Sequence, residues 1–332
     1  MQIKLVSPFD AHLHLRDGAM LAATVPASSR DFAGAIVMPN LTPPITVAAQ
    51  AEDYAARITA HSAGDFEPFV SLFLDENITA DELAKSAKTP KQVKLYPSGI
   101  TTNSENGVKT LHSAKLDALF DQMSERGVAL SIHGETNGFV LEREAEFAEI
   151  YETLARKHPK LVIIMEHIST AKLAQLLDKY ENLYATITLH HLLFTLDDLL
   201  GGKLNPHLFC KPIVKTPRDR EALRTLTFSA HPKVAFGSDS APHLRSDKES
   251  NGAAGGIFSA AYALPMLAEL FAAHDALDNL QPFVNERAQA IYKLDLPHKE
   301  VILTDQPQQI AREIGGVVPM CAGKTIGWKR LD

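Results

Sequence analysis

What most restricts this chain is the alternation of two textures. Eight short apolar runs, rich in β-branched residues, recur along it: "FDAHLHL", "AGAIVMPN", "EPFVSLFL", "QVKLYP", "VALSIHGE", "LVIIMEHI", "YATITLHH" and "KVAFGSDSA". Between most of them lie stretches such as "VAAQAEDYAARITAHS", "KLDALFDQMSERG" and "EFAEIYETLARKH". These carry apolar residues at i, i+3, i+4 spacing with charges between, the pattern of amphipathic helices. "TADELAKS" opens on Thr79 and has Glu82 three residues later, a capping-box pattern. Continuous apolar strands alternating with such helices imply a parallel sheet covered by helices. Eight such units in about 250 residues have the size of a (β/α)8 TIM barrel. A doubly wound sheet fits less well, because no G-x-G-x-x-G or phosphate loop follows any run. We expect one α/β domain over 1–332. The barrel would occupy about 5–290, and a C-terminal extension of short extended pieces and glycines about 291–332.

Composition removes several classes. The net charge of -7 argues against a general nucleic-acid binder, which needs a basic face. The two cysteines, Cys210 and Cys321, offer no disulfide framework and suit a reducing compartment. "MQIKLVSPFD" lacks the apolar core of a signal peptide. The longest apolar stretch, "GGIFSAAYALPMLAELFAAH", is interrupted by Pro265 and Glu269 and reads as a core helix, not a membrane span. The expectation is a soluble cytoplasmic protein with neither nucleic acid nor membrane as partner.

In a barrel enzyme the chemistry sits at the C-terminal ends of the strands. Here the first run ends His12-Leu13-His14-Leu15-Arg16 and the second Pro39-Asn40. The fourth carries Lys94, the fifth ends His133-Gly134-Glu135, the sixth Glu166-His167, and the eighth leads through Asp239 to His243. The H-x-H pair alone is weak, since chance places about 0.6 such pairs in a chain of this histidine content. Its company matters more. On a strand His12 and His14 share a face and can reach one ion together. Neutral imidazoles and a carboxylate suit a zinc-like ion. His12, His14, His133, His167 and Asp239 exceed the three protein ligands of a typical mononuclear catalytic zinc, so the count suggests two divalent ions. Lys94 is the odd member. Burial and nearby cations depress an ammonium's pKa. The neutral amine can then add carbon dioxide to become a carbamate, whose two oxygens can bridge two metals.

Each residue also has a plainer reading. A lone histidine is more often a satisfied core group, a strand lysine an edge residue, and Asp239 a helix cap. Their clustering at strand ends outweighs this. Adjacent His190 and His191 face opposite sides if they continue a strand, so at most one points inward, and neither is assigned to metal. His61, His158, His207, His231, His274 and His298 are expected at the surface. Arg16, two residues beyond the metal pair on the same strand face, is expected to face inward as an anion clamp.

"FDAHLHLRDG", "IVMPN", "VKLYP" followed by "TTN", "IHGE", "MEHI" and "GSDSAPH" together resemble the amidohydrolase superfamily. More closely they are similar to the dihydroorotases of the short bacterial type, from His12 to about Phe258. The resemblance implies that His12, His14 and Asp239 hold the more buried metal, His133 and His167 the second, and a carbamylated Lys94 bridges both. Zinc is the implied ion. It implies that Arg16, Asn40 and His243 bind the substrate's α-carboxylate, and that Thr101 and Thr102 form the tip of a mobile loop. Main-chain atoms of Lys211 and Gly255 would bond the pyrimidine ring's amide edge. The family pattern has an apolar residue at 211 and alanine at 255, so the sequence departs at both. The implied reaction interconverts N-carbamoyl-L-aspartate and L-dihydroorotate in pyrimidine synthesis. In ring opening a metal-activated hydroxide attacks and Asp239 moves the proton. The implied assembly is a homodimer.

Two other readings are open at this stage. One is another binuclear amidohydrolase acting on a cyclic amide or ester, such as a hydantoinase; H-x-H at residue 12 leaves no room for the β-sandwich such enzymes build partly ahead of the barrel. The other is a non-catalytic metal-binding barrel, which would be expected to lose ligands.

Overall fold

All eight apolar runs form parallel strands. The computed structural model describes residues 1–75, 77–86, 91–111 and 113–331. In chain order its strands are β1 (Gln2–Val6), β2 (Phe9–Leu13), β3 (Gly34–Val37), β4 (Glu67–Val70), β5 (Leu72–Phe73), β6 (Gln92–Leu95), β7 (Ala129–Ile132), β8 (Ile163–Met165), β9 (Leu183–Ile187), β10 (Val234–Phe236), β11 (Glu300–Thr304), β12 (Gln308–Gln309), β13 (Thr325–Ile326) and β14 (Lys329–Leu331). β2, β3 and β4 pair in parallel, and so do β5 through β10 in sequence order. β4 and β5 make one stave, interrupted at Ser71. The ring closes between the last stave and the first: Asp239 N–H donates to the His12 carbonyl at 2.8 Å and His14 N–H to the Ser240 carbonyl at 3.0 Å. Closure removes sheet edges and brings residues 12 and 239 side by side. The fold is therefore the expected (β/α)8 barrel.

The staves are buried along their whole length in β2, β3, β6, β7, β8 and β10, as strands with both faces covered must be. The helices present one apolar stripe each. In Ala114–Arg126 the stripe is Leu116, Leu119, Phe120 and Met123. That helix starts on Ser113, whose hydroxyl accepts from Leu116 N–H at 3.2 Å, and stops on Gly127 at φ +67°. Thr79 caps the helix Ala80–Ser86 by accepting from Glu82 N–H at 3.3 Å. The Glu82 carboxylate accepts from Ala48 N–H at 2.8 Å, at the start of the helix Ala48–Thr59, so it joins two helices. β1 lies outside the barrel, paired antiparallel with β11, which in turn pairs with β14. Among the described residues, no helix is long and apolar enough to cross a membrane. The apolar stretch around Pro265 forms the buried helix Ala263–Ala272.

Two expectations are corrected. His190 and His191 do not continue β9. Thr188 caps a short helix, Leu189–Leu193, and both histidines are buried in it. A strand's alternation therefore never applied to them. His158 is not a surface residue but is buried, with Nδ1 2.9 Å from Asp121 Oδ1 and Nε2 3.3 Å from Asp117 Oδ1.

Gly237 sits between the first and seventh staves. A Cβ there would stand 2.9 Å from the Cβ atoms of both His12 and Thr186. Gly237→Ala is expected to destabilise the fold by about 1–3 kcal/mol through overpacking, read as a lower denaturant midpoint with an unchanged slope.

Candidate metal centre

The strand ends bring the expected ligands to one mouth. His12 Nε2 and His14 Nε2 lie 3.5 and 3.1 Å from Asp239 Oδ1. Across from them His133 Nδ1 stands 3.2 Å from His167 Nε2. Lys94 lies between, fully buried, with Nζ 3.9 Å from Glu166 Oε1 and no hydrogen-bond partner among the described residues. A partly open pocket of about 370 Å³, solvent space included, lies above them. Arg16, Asn40, Thr101, Thr102, Lys211 and Gly255 all line it. His243 stands behind Arg16, with its Nε2 2.9 Å from Arg16 Nη2 and 3.1 Å from the Gly255 carbonyl. Thus every residue singled out in the sequence gathers within this site or directly against it.

The backbone is bent to achieve this. Arg16, His167 and Asp239 take left-handed conformations, at φ +63°, +41° and +41°. Each costs on the order of 1–3 kcal/mol for a non-glycine residue and persists only where the surroundings enforce it. Tyr54 OH donates to the Arg16 carbonyl and holds that turn. Arg16 Nε donates to the Pro242 carbonyl at 2.9 Å, which aims the guanidinium.

The donor set fits divalent ions. Burial lowers the pKa of His12, His14 and His167, and nearby cations push the last two down further, so these imidazoles are neutral, the form that ligates metal. The two facing nitrogens of His133 and His167 can share one proton as a hydrogen bond or turn both lone pairs to an ion. Burial pulls the Lys94 ammonium down to about 8, which makes the neutral amine accessible. An ammonium enclosed here, with Glu166 3.9 Å away and no hydrogen bond, is poorly compensated.

Sequence reasoning passed over several groups that set this geometry. Glu166 was visible in "MEHI" but received no role. Its Oε2 is 2.7 Å from His12 Nδ1 and accepts from Thr186 Oγ1 at 2.6 Å, while Oε1 accepts from Ser131 Oγ. Burial alone would raise this carboxyl, but its contact with His12, the Lys94 charge and these hydrogen bonds lower it below the usual carboxylate range. A carboxylate on Nδ1 fixes the tautomer that turns the His12 Nε2 lone pair toward an ion. Asp10 Oδ1 accepts from His12 N–H at 3.1 Å and from Ser238 N–H at 2.8 Å, joining first and last staves. Lys248 Nζ donates to the carbonyls of Phe209, Ala254 and Gly256 at 2.8–2.9 Å, clamping the segments around Lys211 and Gly255. An acid two residues before H-x-H, or directly before a ligand histidine, is a readable sign; the Lys248 clamp has none. Glu166→Gln is expected to weaken metal affinity by about 10- to 100-fold with the fold intact, measured by competition with a chelator. Unchanged affinity would remove Glu166 from the site's support.

A second grouping, His190, His191 and Cys210, has ligand atoms within 4.8 Å of one another. Protein groups already engage most of it. His191 Nδ1 meets Thr188 Oγ1 at 2.9 Å, and its Nε2 lies 3.1 Å from the Pro212 carbonyl, to which the Cys210 thiol also donates at 3.1 Å. Burial pushes that thiol up to about 12, so it stays protonated and is a weak ligand.

A closed parallel barrel with histidines, a buried lysine and an aspartate at its C-terminal mouth defines a metal-dependent hydrolase barrel. The model of the amidohydrolase family matches residues 8–285. Similarity then narrows. A dihydroorotase from Helicobacter hepaticus is 47% identical over 98% of this chain and 97% of its own length. The crystal structure of a dihydroorotase from Campylobacter jejuni superposes with a TM-score of 0.94 at 45% identity, covering 99% of this chain and 97% of that one. The Saccharomyces cerevisiae dihydroorotase, solved in complex with 5-fluoroorotic acid, superposes at 0.92 with 31% identity, covering 99% and 98%. The chain belongs to the dihydroorotases, and its family implies a divalent metal centre.

Proposed function

We propose that this chain interconverts N-carbamoyl-L-aspartate and L-dihydroorotate, forming the ring with release of water in de novo pyrimidine (UMP) synthesis. The observation that carries this is the Asp239 carboxylate, in contact with the His12 and His14 nitrogens at the floor of a cavity that Arg16 enters. His12, His14 and Asp239 would hold one ion, His133 and His167 the other, with a carbamylated Lys94 between. Bound there, divalent cations supply Lewis acidity and an activated water.

The chain's own groups do the rest. Arg16, aimed by Pro242 and His243, has further N–H groups for the substrate's α-carboxylate. Burial and the Arg16 charge lower His243 to about 3, so it is neutral beside the guanidinium. Asn40, expected on the same carboxylate, donates Nδ2 to the Thr102 carbonyl at 3.0 Å and serves both carboxylate and loop. Main-chain atoms of Lys211 and Gly255, held by the Lys248 clamp, meet the ring's amide edge. Asp239 Oδ1 faces the histidines, which leaves Oδ2 to carry the proton. In ring opening, water oxygen adds to the ring amide carbon, the C–N bond breaks, and Asp239 delivers the proton to the leaving nitrogen. In closure the carbamoyl nitrogen adds to the carbon of the protonated side-chain carboxyl, Asp239 takes the nitrogen's proton and passes it to the departing hydroxyl, and water leaves.

Zinc as the metal, a homodimer, a cytoplasmic setting, and one domain with its barrel at about 5–290 and an extension at about 291–332 complete the reading. The test is loss of the dihydroorotate ring by metal-loaded enzyme. Arg16→Lys should raise KM roughly 10- to 100-fold, because a point charge replaces a two-pronged clamp. Metal-loaded protein that leaves dihydroorotate intact but opens another cyclic amide would overturn the substrate assignment.

A further inference from the structure

Lys211 and Gly255, both on the cavity wall, lie against each other. A Cβ at Gly255 would stand 3.5 Å from Lys211 Cγ and 3.9 Å from Cδ, so the lysine stem runs across this glycine. From there it reaches over the mouth, and Nζ donates to the carbonyl of Ile100 at 2.8 Å. Ile100 belongs to the loop 98–107, which carries Thr101 and Thr102 into the cavity wall. At another point on the rim, after β3, the same loop is tied by Asn40 Nδ2 to the Thr102 carbonyl and by Asn103 Nδ2 to the Asn40 carbonyl, each at 3.0 Å.

The loop is braced within itself. Gly99 N–H donates to the Ser104 carbonyl and Thr101 N–H to Ser104 Oγ, both at 2.9 Å, and Ser104 Oγ donates to the Thr101 carbonyl at 2.7 Å. A segment so cross-bonded moves or stays as a unit. Its position over the cavity then depends on its ties to the rim. Asn40 and Asn103 supply neutral ones, and Lys211 supplies the charge-assisted one.

We propose that the Lys211 ammonium is a positioning residue that holds the 98–107 loop down over the substrate cavity. Its side chain acts through the loop and touches no reacting atom. The bond sets the fraction of molecules whose cover is already in place, and apparent affinity scales with that fraction. The claim about substrate affinity rests on the dihydroorotase reading; the claim about the loop does not.

The experiment uses metal-loaded wild type, Lys211→Met and Lys211→Arg. Methionine keeps the stem's length and its packing over Gly255 while removing the donor; arginine restores a charged donor. Hydrogen exchange without substrate should be roughly 3- to 10-fold faster across 96–108 in Lys211→Met, near wild type in Lys211→Arg, and unchanged across β7. With L-dihydroorotate, Lys211→Met should raise KM by a similar roughly 3- to 10-fold, with a smaller change in kcat. Unaltered exchange across 96–108 in Lys211→Met overturns the tie. Faster exchange with unchanged KM overturns its service to substrate binding. Failure of all three proteins to turn over dihydroorotate sinks the substrate reading instead, while the exchange result still decides the tie.

Discussion

Lys94→Ala is expected to lower turnover by about three orders of magnitude or more and to reduce bound metal relative to wild type. The wild-type lysine sits beneath the cavity with no hydrogen-bond partner for Nζ among the described residues, and burial brings its ammonium down to about 8. Without metal that arrangement is a liability, because the buried ammonium makes no hydrogen bond and its nearest carboxylate, Glu166, stands 3.9 Å away, which leaves its desolvation poorly offset. In the proposed reading the same nitrogen, carboxylated, would instead supply an anion for divalent cations to bind. Stability should therefore change sign between the two states. Metal-free Lys94→Met, which fills the same space without charge, should be more stable than metal-free wild type by about 1–3 kcal/mol. With metal added, wild type should be the more stable by linkage to tighter binding. Chemical denaturation of both proteins with and without added metal measures this directly. Equal metal content and equal rates in Lys94→Ala and wild type would exclude the bridge.

Asp239→Asn is expected to cost about 10²- to 10⁴-fold in kcat with little change in KM. Asparagine matches the carboxylate in shape, so Arg16 and the cavity wall still receive the substrate. It cannot pass a proton, and one of its positions now donates where Oδ1 met His12 and His14. Steady-state rates in both directions should fall together, since the same proton is moved forwards and backwards. A variant with unchanged kcat would place the proton transfer elsewhere. Retained near-ultraviolet circular dichroism would separate the chemical loss from unfolding, a useful control because residue 239 sits at φ +41°, where asparagine is among the few tolerant side chains.

Much of the site was legible beforehand because strand ends are local features. His12 and His14 share a face through the period of a strand alone. His133, His167 and Asp239 each end an apolar run, and a barrel gathers such ends wherever they fall in the sequence. Other features were not legible. Glu166 was in view, yet its partner His12 is 154 residues away, and that contact exists only once β2 and β8 face one interior. His190 and His191 were read on a strand's alternation, but Thr188 capped a helix there first. His158 looked exposed by its position after a helix; Asp117 and Asp121 on the neighbouring helix draw it under cover.

The sequence by itself determined the barrel, the number of its staves and which residues stand at its mouth, because apolar period and strand length are written in neighbouring residues. Only the tertiary structure decided how those residues are aimed. The left-handed turns at Arg16, His167 and Asp239, the carboxylate behind His12, the Lys248 clamp and the Lys211 tie across the mouth all join positions distant along the chain. Their geometry is set by closure of the ring, which no local pattern encodes.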